Sequence, residues 1–151
     1  MLKGMLLLKK APDVQWQVDI TPINYAGEAI TALVLQQETV GRVFHICNPV
    51  AIPYEEMVEH FKAIGYDISL MHWKEYETWL LDPQQPKDKE GLELAMAQFE
   101  GDGAKNSVYR YTCPQTTEFL LQSGVKCAVP DQQFFRKMVN YASDIGYFVK
   151  P

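Results

Sequence analysis

The sequence contains few cysteines, and none of them stands in a pairing or metal-binding pattern. Cys47, Cys113 and Cys127 are the three cysteines in 151 residues. They are odd in number and widely spaced, with no C-x-x-C and no histidine at ligand spacing. Disulfide scaffolds and zinc sites use even sets or close pairs of cysteines. We therefore predict reduced thiols in a cytoplasmic protein and no metal site.

Phosphate-binding and hydrolytic turn motifs are also absent. No G-x-G-x-x-G or G-x-x-G-x-x-G occurs, although such a turn lets a dinucleotide pyrophosphate approach a helix N-terminus. There is no G-x-S-x-G or G-x-C-x-G elbow either, so His45 and Cys47, two positions apart on one strand, do not indicate a hydrolase. The sequence thus predicts neither a cofactor-binding turn nor a catalytic nucleophile.

A concentrated basic face and a long apolar run are missing too. The formal charge is −5, which argues against nucleic acid or an anionic membrane as a partner. No apolar run approaches the length of a membrane span, and residues 1–10 lack a cleavage-site pattern and are predicted to be helical. With 47% hydrophobic and 22% charged residues, the composition is typical of a globular domain with a core.

A strand, a helix and a second strand are predicted in the first third of the chain. Residues 15–20 are prone to β-structure, and Thr21 is predicted to cap a helix that begins at Pro22. Residues 42–47 are apolar nearly throughout, as a strand covered on both faces would be. Together they form a βαβ unit. The apolar stripe predicted for the helix comprises Ala26, Ala29, Ile30, Leu33 and Val34.

The rest of the chain is predicted to be mostly helical. Helices are expected from Pro53, which Gly65 ends, over Trp73–Leu81, over Glu90–Phe99, over Gln115–Ser123 and from Pro130. A short strand is expected at 67–72, a helix stop at 101–103, and an extended link from Tyr109. This pattern suggests a single domain or fragment in which residues 1–50 carry the βαβ unit and residues 51–151 form a helical subdomain.

Several short motifs, taken in order, carry a family resemblance. Residues 18–22 (Val-Asp-Ile-Thr-Pro) precede the first predicted helix, and residues 43–49 (Val-Phe-His-Ile-Cys-Asn-Pro) follow it. Residues 61–68, Trp79-Leu80 and a closing pattern between Thr117 and Phe148 come next. In this order they resemble the second half of the thioester reductase domains that end many nonribosomal peptide synthetases. The resemblance extends from about Pro12 to the end, and it implies the C-terminal part of a Rossmann-type extended short-chain reductase, an α/β fold.

This resemblance implies a reaction and a set of partners. In the intact domain, NADPH delivers hydride to the thioester of a chain held on the phosphopantetheine arm of a carrier protein, and an aldehyde or alcohol is released. The family's catalytic Tyr-x-x-x-Lys pair is absent here, as is the glycine-rich turn. We therefore expect an inactive fragment that binds no cofactor by itself, lacks the N-terminal half of its domain, and could form a homodimer through uncovered apolar surface.

Five residues are predicted to face a substrate. Ligands of open α/β sheets bind beyond the carboxyl ends of the strands, which indicates His45, Asn48 and Pro49 in one place and His72 and Trp73 in another. Each has a structural alternative: a packed strand histidine, a turn residue, or edge-strand packing. His60 is predicted at the surface. The alternative function is a non-catalytic module that docks a carrier protein. Docking would need a basic patch such as Lys9-Lys10 or Arg136-Lys137, and the other interpretation of both pairs is an ordinary solvated face.

Overall fold

The computed structural model describes residues 2–99 and 112–151. Within these residues the chain forms two units, each assembled from segments that are distant in sequence. The first unit comprises residues 2–16, 53–99 and 131–151, and the second comprises residues 17–52 and 112–130. The predicted helix stop at 101–103 and the predicted link from Tyr109 lie outside the described residues.

Most of the predicted helices are present, each beginning within two residues of its predicted start. Helices dominate the described residues, and the strands are short, so the predicted α/β architecture reduces here to a mainly helical structure with small two-stranded ladders. In chain order the elements are α1 (Leu2–Leu8), β1 (Lys10–Asp13), β2 (Gln17–Val18), α2 (Ile23–Val34), a 3-10 turn (Gln37–Thr39), β3 (Ile52–Pro53), α3 (Tyr54–Ile64), β4 (Ser69–His72), α4 (Trp73–Leu81), α5 (Lys89–Phe99), α6 (Pro114–Gln122) and α7 (Gln132–Asp144).

The first unit contains a parallel strand pair that the sequence predicted only in part. β4 confirms the strand expected at 67–72, and it pairs in parallel with β1 from Lys10↔Ser69 to Asp13↔His72. No strand was predicted at β1. Residues 1–10 were expected to be helical, but the helix ends at Leu8 and Lys10 already belongs to the strand. Lys9 adopts a positive φ of 54°, which ends α1 and redirects the chain into the strand.

The core of the first unit is formed largely by α3 and α7. Apolar spacing predicts a buried stripe on α3 of Tyr54, Met57, Val58, Phe61 and Ile64. The first four are buried, and Ile64 is partly buried. Gly65 ends the helix with φ 123°, a conformation that glycine tolerates best. The ring centroids of Phe61 and Phe135 are 5.6 Å apart, which joins the two helices through an edge-to-face contact.

His60 lies between these helices, so its predicted surface position was wrong. Its Nδ1 is 2.8 Å from Oε1 of Gln132, and Nε2 of Gln132 donates to the His60 carbonyl at 3.2 Å. The imidazole also stacks on Phe135 at 4.8 Å between ring centroids, and its side chain is 16% exposed. The reciprocal pair therefore fixes the register of α3 against α7.

The second unit has its own core, formed by α2 and α6. Tyr25, Ala29 and Leu33 of α2 are buried against Leu120 and Cys127. The predicted stripe of α2 is displaced toward Tyr25, because Ile30 and Val34 are 53% and 76% exposed. Thr21 does not cap this helix. Pro22 is the N-cap without a side-chain bond, and the Thr21 hydroxyl instead donates to Asp19 Oδ1 at 3.2 Å.

Two of the predicted strands differ from the structure. The strand expected at 15–20 is reduced to β2, which pairs with β3. Residues 42–47 form no strand ladder within the described residues, so a strand covered on both faces was the wrong expectation there. Phe44 and Ile46 pack against the α2–α6 core, whereas Val43 and His45 are exposed on the other side. Only one face of this extended segment is covered.

None of the helices found in the described ranges is both long enough and apolar enough to cross a membrane.

Candidate functional site

The carboxyl ends of β1 and β4 place three predicted or candidate residues side by side. Asp13 and His72 are register partners at the last position of the parallel pair, and both are exposed. Trp73 follows His72 directly and begins α4. Ligands of α/β proteins bind at this edge of a parallel sheet. The sequence prediction of His72 and Trp73 thus falls on a position that suits a ligand.

An aromatic wall of Trp16, Tyr54 and Trp73 stands next to this edge. The ring centroids of Trp16 and Trp73 are 6.2 Å apart, and those of Trp16 and Tyr54 are 5.9 Å apart. The Tyr54 backbone N–H donates to the Trp16 carbonyl at 2.9 Å, which ties the start of α3 to the wall. Trp16 and Trp73 are half-buried. The wall therefore offers an apolar surface beside the exposed imidazole of His72.

Tyr54 supports the wall from the interior of the first unit. Its side chain is 2% exposed, and its hydroxyl contacts the Met5 sulfur at 3.7 Å. Burial, and secondarily the neighbouring Tyr76, raises the pKa of the Tyr54 phenol above its ordinary value. The phenol therefore stays neutral at physiological pH, and no lysine stands four residues after it.

A shallow groove of about 390 Å³ runs along α4 and the loop after it. Trp79 lies in this groove between two lysines, with Lys10 Nζ 4.7 Å and Lys87 Nζ 5.2 Å from its ring centroid. Cation–π contacts of this kind hold lysine side chains against a tryptophan face. The Lys10 side chain is therefore held against Trp79 within the first unit. The groove is lined by Lys74, Glu75, Thr78, Trp79, Asp82 and Gln85.

The second unit carries the other three predicted residues in the turn after segment 42–47. Asn48 is 2% exposed. Its Nδ2 donates to the carbonyls of Ile20 at 2.8 Å and Ala128 at 3.3 Å, and its Oδ1 accepts from the Val50 N–H at 3.0 Å. Its own backbone N–H donates to the Thr21 hydroxyl at 2.9 Å. Asn48 therefore joins three chain segments.

This bonding supports the structural alternative for Asn48. The three hydrogen bonds of the Asn48 side chain all go to backbone groups of the second unit. A polar side chain is buried at a turn when its hydrogen bonds are satisfied in this way. His45 and Pro49 are exposed on either side of it. A ligand at this turn would meet His45 and Pro49, while Asn48 would hold them in place.

The three cysteines converge around Tyr25, which their sequence spacing did not indicate. The Cys113 thiol donates to the Cys47 carbonyl at 3.4 Å and lies 3.4 Å from the Thr117 hydroxyl. Burial, followed by the hydrogen bond with Cys113, raises the pKa of Cys47 to about 12. Burial, followed by the charge of Asp19, raises the pKa of Cys127 to about 11. These thiols are therefore protonated and weakly nucleophilic at neutral pH.

We predict that Cys47 and Cys127 react slowly with Ellman's reagent in the folded protein. Only the thiolate attacks, so at pH 8 a pKa of about 11 in place of the ordinary value of about 8.5 reduces the rate by roughly 100-fold. Because the folded pKa values are raised, their contribution to stability is complete below about pH 8.5 and is lost as pH rises toward 11. Rates measured in buffer and in urea test this, and equal rates in both would contradict it.

Within residues 2–99 and 112–151, no cluster of three or more His, Cys, Asp or Glu side chains could hold a metal ion. His72 has Asp13 as its register partner, but no third ligand accompanies them in the described residues. The chemistry available at the strand ends is therefore binding and hydrogen bonding by an imidazole next to an aromatic surface.

This fold is similar to that of proteins of known structure. No protein-family model matches the chain. The chain is 26% identical over 149 residues to a linear gramicidin synthase from Brevibacillus parabrevis, in a match that covers 95% of this chain and 3% of that protein. The solved terminal R domain of the myxalamid PKS–NRPS biosynthetic pathway superposes with a TM-score of 0.86 at 22% identity, over 99% of this chain and 38% of its own. This chain has the fold of part of a terminal reductase domain.

A second solved structure agrees with this assignment. The thiolation–reductase di-domain from an archaeal non-ribosomal peptide synthetase gives a TM-score of 0.72 at 21% identity, over 98% of this chain and 30% of its own. The predicted resemblance to the C-terminal portion of a peptide synthetase reductase domain is thereby confirmed. This chain spans well under half of each protein that it matches, so its activity and partners are matters for proposal.

Sequence reasoning missed Asp13, Trp16 and Tyr54 as neighbours of His72 and Trp73. The two strands that bring them together are separated by more than 50 residues, and no local pattern announces a parallel pairing at that distance. One signal could be read from the sequence: the β-prone residues 67–72 end at His72, and Trp73 follows directly. The sequence did not show which strand would pair with this one.

Proposed function

We propose that this chain is the substrate-side C-terminal part of an NADPH-dependent thioester reductase of nonribosomal peptide synthesis. In the intact domain, hydride reaches the carbonyl of a carrier-bound peptidyl or acyl thioester, the carbon–sulfur bond breaks, and an aldehyde and the pantetheine thiol are released. A second reduction gives the alcohol. The observation that carries this proposal is the fold match over 99% of the chain.

The chain's own residues do not fit a dinucleotide. A pyrophosphate needs free N–H groups and small residues at the start of a helix. The two helices that follow β2 and β3 have Pro22 and Pro53 at their N-caps, and neither is preceded by a glycine-rich turn. We therefore assign NADPH binding to the part of the domain that this chain does not contain, and no catalytic step to residues of this chain.

What this chain contributes, in our proposal, is a surface for the acyl–pantetheine chain. Residues 1–50 complete the nucleotide-binding half, and residues 51–151 face the substrate and its carrier. Trp73 supplies an apolar face at the strand ends, and the exposed His72 imidazole can hydrogen-bond an amide of the pantetheine arm. His45 and Pro49 offer a second exposed place, which Asn48 holds in position. These roles are hypotheses that follow from position and exposure.

A hybrid enzyme tests the proposal. The matched portion of the myxalamid reductase domain is replaced by this chain, and the hybrid is assayed for oxidation of NADPH with an acyl-pantetheine thioester. We expect aldehyde formation by the hybrid, and neither reduction nor NADPH binding by the chain alone, followed by tryptophan fluorescence and thermal shift. A hybrid that folds and binds NADPH but reduces no thioester would overturn the proposal, and would favour the alternative of a non-catalytic carrier-docking module.

Substitution of Trp73 in the hybrid should separate binding from chemistry. In Trp73→Ala the wall loses an aromatic face, so we expect KM for the thioester to rise roughly tenfold with kcat nearly unchanged, as for a lost ground-state contact of about 1.4 kcal/mol. Trp73→Phe keeps an aromatic face and should restore most of the affinity. A loss of kcat in Trp73→Ala at constant KM would contradict a purely binding role.

α7 is the surface that we propose for the carrier protein. Arg136 and Lys137 are exposed, and no acidic residue occurs between Asp131 and Asp144. Tyr141, one turn after Lys137, is 69% exposed. The other candidate pair is weaker, because Lys10 already lies over Trp79. A basic and aromatic face of this kind complements an acidic carrier surface.

We predict that Lys137→Glu in this chain weakens its binding to the thiolation domain of the archaeal di-domain by about fivefold at low salt. The substitution removes an attraction to the acidic carrier surface and adds a repulsion. The effect should shrink above about 0.3 M salt, because exposed charges are then screened. Lys126→Glu changes the net charge equally at an exposed position of the second unit and serves as the control. Equal effects of both substitutions in a calorimetric titration would refute docking on α7.

A further inference from the structure

Cys47 and Cys113 lie next to each other in the second unit, and the proposed function uses neither of them. The Cys113 thiol donates to the Cys47 carbonyl at 3.4 Å, although the two residues are 66 positions apart in the sequence. Their side chains also interact directly, and this interaction contributes to the raised pKa of the Cys47 thiol. The fold therefore brings together two thiols, as the formation of a disulfide requires.

The backbone is fixed beside both cysteines. Directly after Cys47, the buried amide of Asn48 bonds to the backbone of two other chain segments. Cys113 is the N-cap of α6, and its carbonyl accepts the Thr117 N–H at 2.8 Å. Two groups that are held close together in this way react as if each were present at a high local concentration.

The segments that carry the two cysteines are also packed together by aromatic rings. Phe44 precedes Cys47 by three residues, and its ring centroid is 5.4 Å from that of Phe119 on α6. The Arg42 guanidinium lies 5.2 Å and 5.9 Å from the centroids of these two rings. A bond between Cys47 and Cys113 would therefore join segments that already lie against each other.

Cys127 is near the other two cysteines but is placed differently. It belongs to the buried core of the second unit, and burial and charge raise its pKa without a hydrogen bond to another thiol. Cys47 is half-buried, whereas Cys113 and Cys127 are 5% and 8% exposed. A small oxidant from solution therefore reaches Cys47 first, and Cys113 is the thiol that interacts with it.

We propose that Cys47 and Cys113 are a dithiol site that a peroxide oxidises to a disulfide. The Cys47 sulfur attacks one oxygen of hydrogen peroxide, the O–O bond breaks, and a sulfenic acid and one water are formed. The Cys113 sulfur then attacks the Cys47 sulfur, the S–O bond breaks, and the disulfide and a second water are formed. The two thiols together lose two electrons and two protons, and the peroxide is reduced to water. This site does not depend on the proposed function.

The first step should be slow at neutral pH and accelerate as pH rises. Burial, followed by Cys113, Asp19 and Cys127, raises the pKa of Cys47 to about 12, and only the thiolate attacks the peroxide. The rate of disulfide formation should therefore rise about tenfold per pH unit between about pH 7 and pH 9. A rate that is independent of pH in this range would show that a different thiol reacts, and would overturn the assignment.

Peptide mapping of this chain after treatment with hydrogen peroxide tests the site without any substitution. Trypsin places the three cysteines in separate peptides, residues 43–62, 111–126 and 127–136, so the mass of a linked pair identifies its cysteines. We expect the folded chain to give peptide 43–62 linked to peptide 111–126, and dithiothreitol to separate them. In urea, where the fold no longer selects partners, all three pairs should form. A folded chain that forms no disulfide, links peptide 127–136, or forms only bonds between two chains would overturn the proposal.

Substitutions supply matched controls and a second readout. Cys127→Ser should leave the bond intact, whereas Cys47→Ser and Cys113→Ser should each abolish it. The bond closes a loop that contains residues 48–112, so oxidation should raise the urea midpoint of Cys127→Ser, and dithiothreitol should reverse the change. A midpoint that does not rise would show that the fold does not accommodate the bond, and would also overturn the proposal.

Discussion

Asn48→Ala is expected to lower the free energy of unfolding by about 2–4 kcal/mol, because a buried amide and its hydrogen bonds to three backbone groups are lost at once. The carbonyls of Ile20 and Ala128 and the N–H of Val50 all bond to the Asn48 amide. In the native protein these bonds connect three segments of the second unit. Urea unfolding followed by far-ultraviolet circular dichroism measures the loss, because Trp16, Trp73 and Trp79 all lie in the first unit and do not report on the second.

The control is Asn140→Ala, at an exposed position of α7. It removes the same side chain without a buried bond, so its effect should lie within about 0.5 kcal/mol. Asn48→Asp is a more specific test, because it keeps the shape of the side chain but replaces the NH2 donor with a carboxylate oxygen that faces the carbonyls of Ile20 and Ala128. The buried site raises the pKa of that new carboxyl, so stability should be present at low pH, when the group is protonated, and be lost as pH rises. Equal stability of Asn48→Ala and Asn140→Ala would show that the turn does not depend on this amide.

The predictable part of the fold consisted of helices whose signals are local. Pro53 and Gly65 bracket α3, and its buried stripe follows from apolar spacing alone. The same holds for α4, whose bounds agree with the prediction. In each case, breaker residues and a 3.6-residue period act within the element, so no distant contact was needed to recognise it.

The strands were less predictable, because their partners are distant or absent from the described residues. β1 contains Pro12 and follows a lysine with positive φ, and only its pairing with β4 makes it a strand. Segment 42–47 has the composition of a buried strand, but one face is exposed here. Its apolar composition is therefore matched by burial on one face only, and composition alone does not tell a strand covered on one face from a strand covered on both.

The candidate site divides in the same way. The position of His72 and Trp73 at the end of a strand was predictable from the β-prone residues before them, whereas their role toward a substrate stays a prediction. Trp16, which completes the aromatic wall, was not, because it comes from a loop whose position depends on the Tyr54 backbone bond. Asn48 was predicted as a substrate residue because it follows the carboxyl end of a predicted strand, and its burial and hydrogen bonds favour a structural role. A polar residue next to a candidate site is ambiguous until its bonding partners are known.

Gly91→Ala should destabilise the first unit by about 1–3 kcal/mol, because α1 and α5 approach too closely for an added methyl group. A Cβ at Gly91 would lie 2.9 Å from Cβ of Leu7 and 3.0 Å from Cγ of Leu8. Leu8 is itself buried, so it has little room to move away. Asp88 Oδ1 accepts the Gly91 N–H at 2.7 Å, which holds this first turn of α5 in place.

Gly27→Ala is the matched control and should have the opposite sign. A Cβ at Gly27 would meet nothing within 4 Å, so alanine should stabilise α2 by about 0.5–1 kcal/mol through its higher helix propensity. The two substitutions are chemically identical, and both positions are helical. If Gly91→Ala lowers the free energy of unfolding and Gly27→Ala raises it, the opposite signs reflect the close packing of α1 against α5 at Gly91. Stabilisation by both alanines would mean that these helices separate easily, and that the close contact contributes little to the first unit.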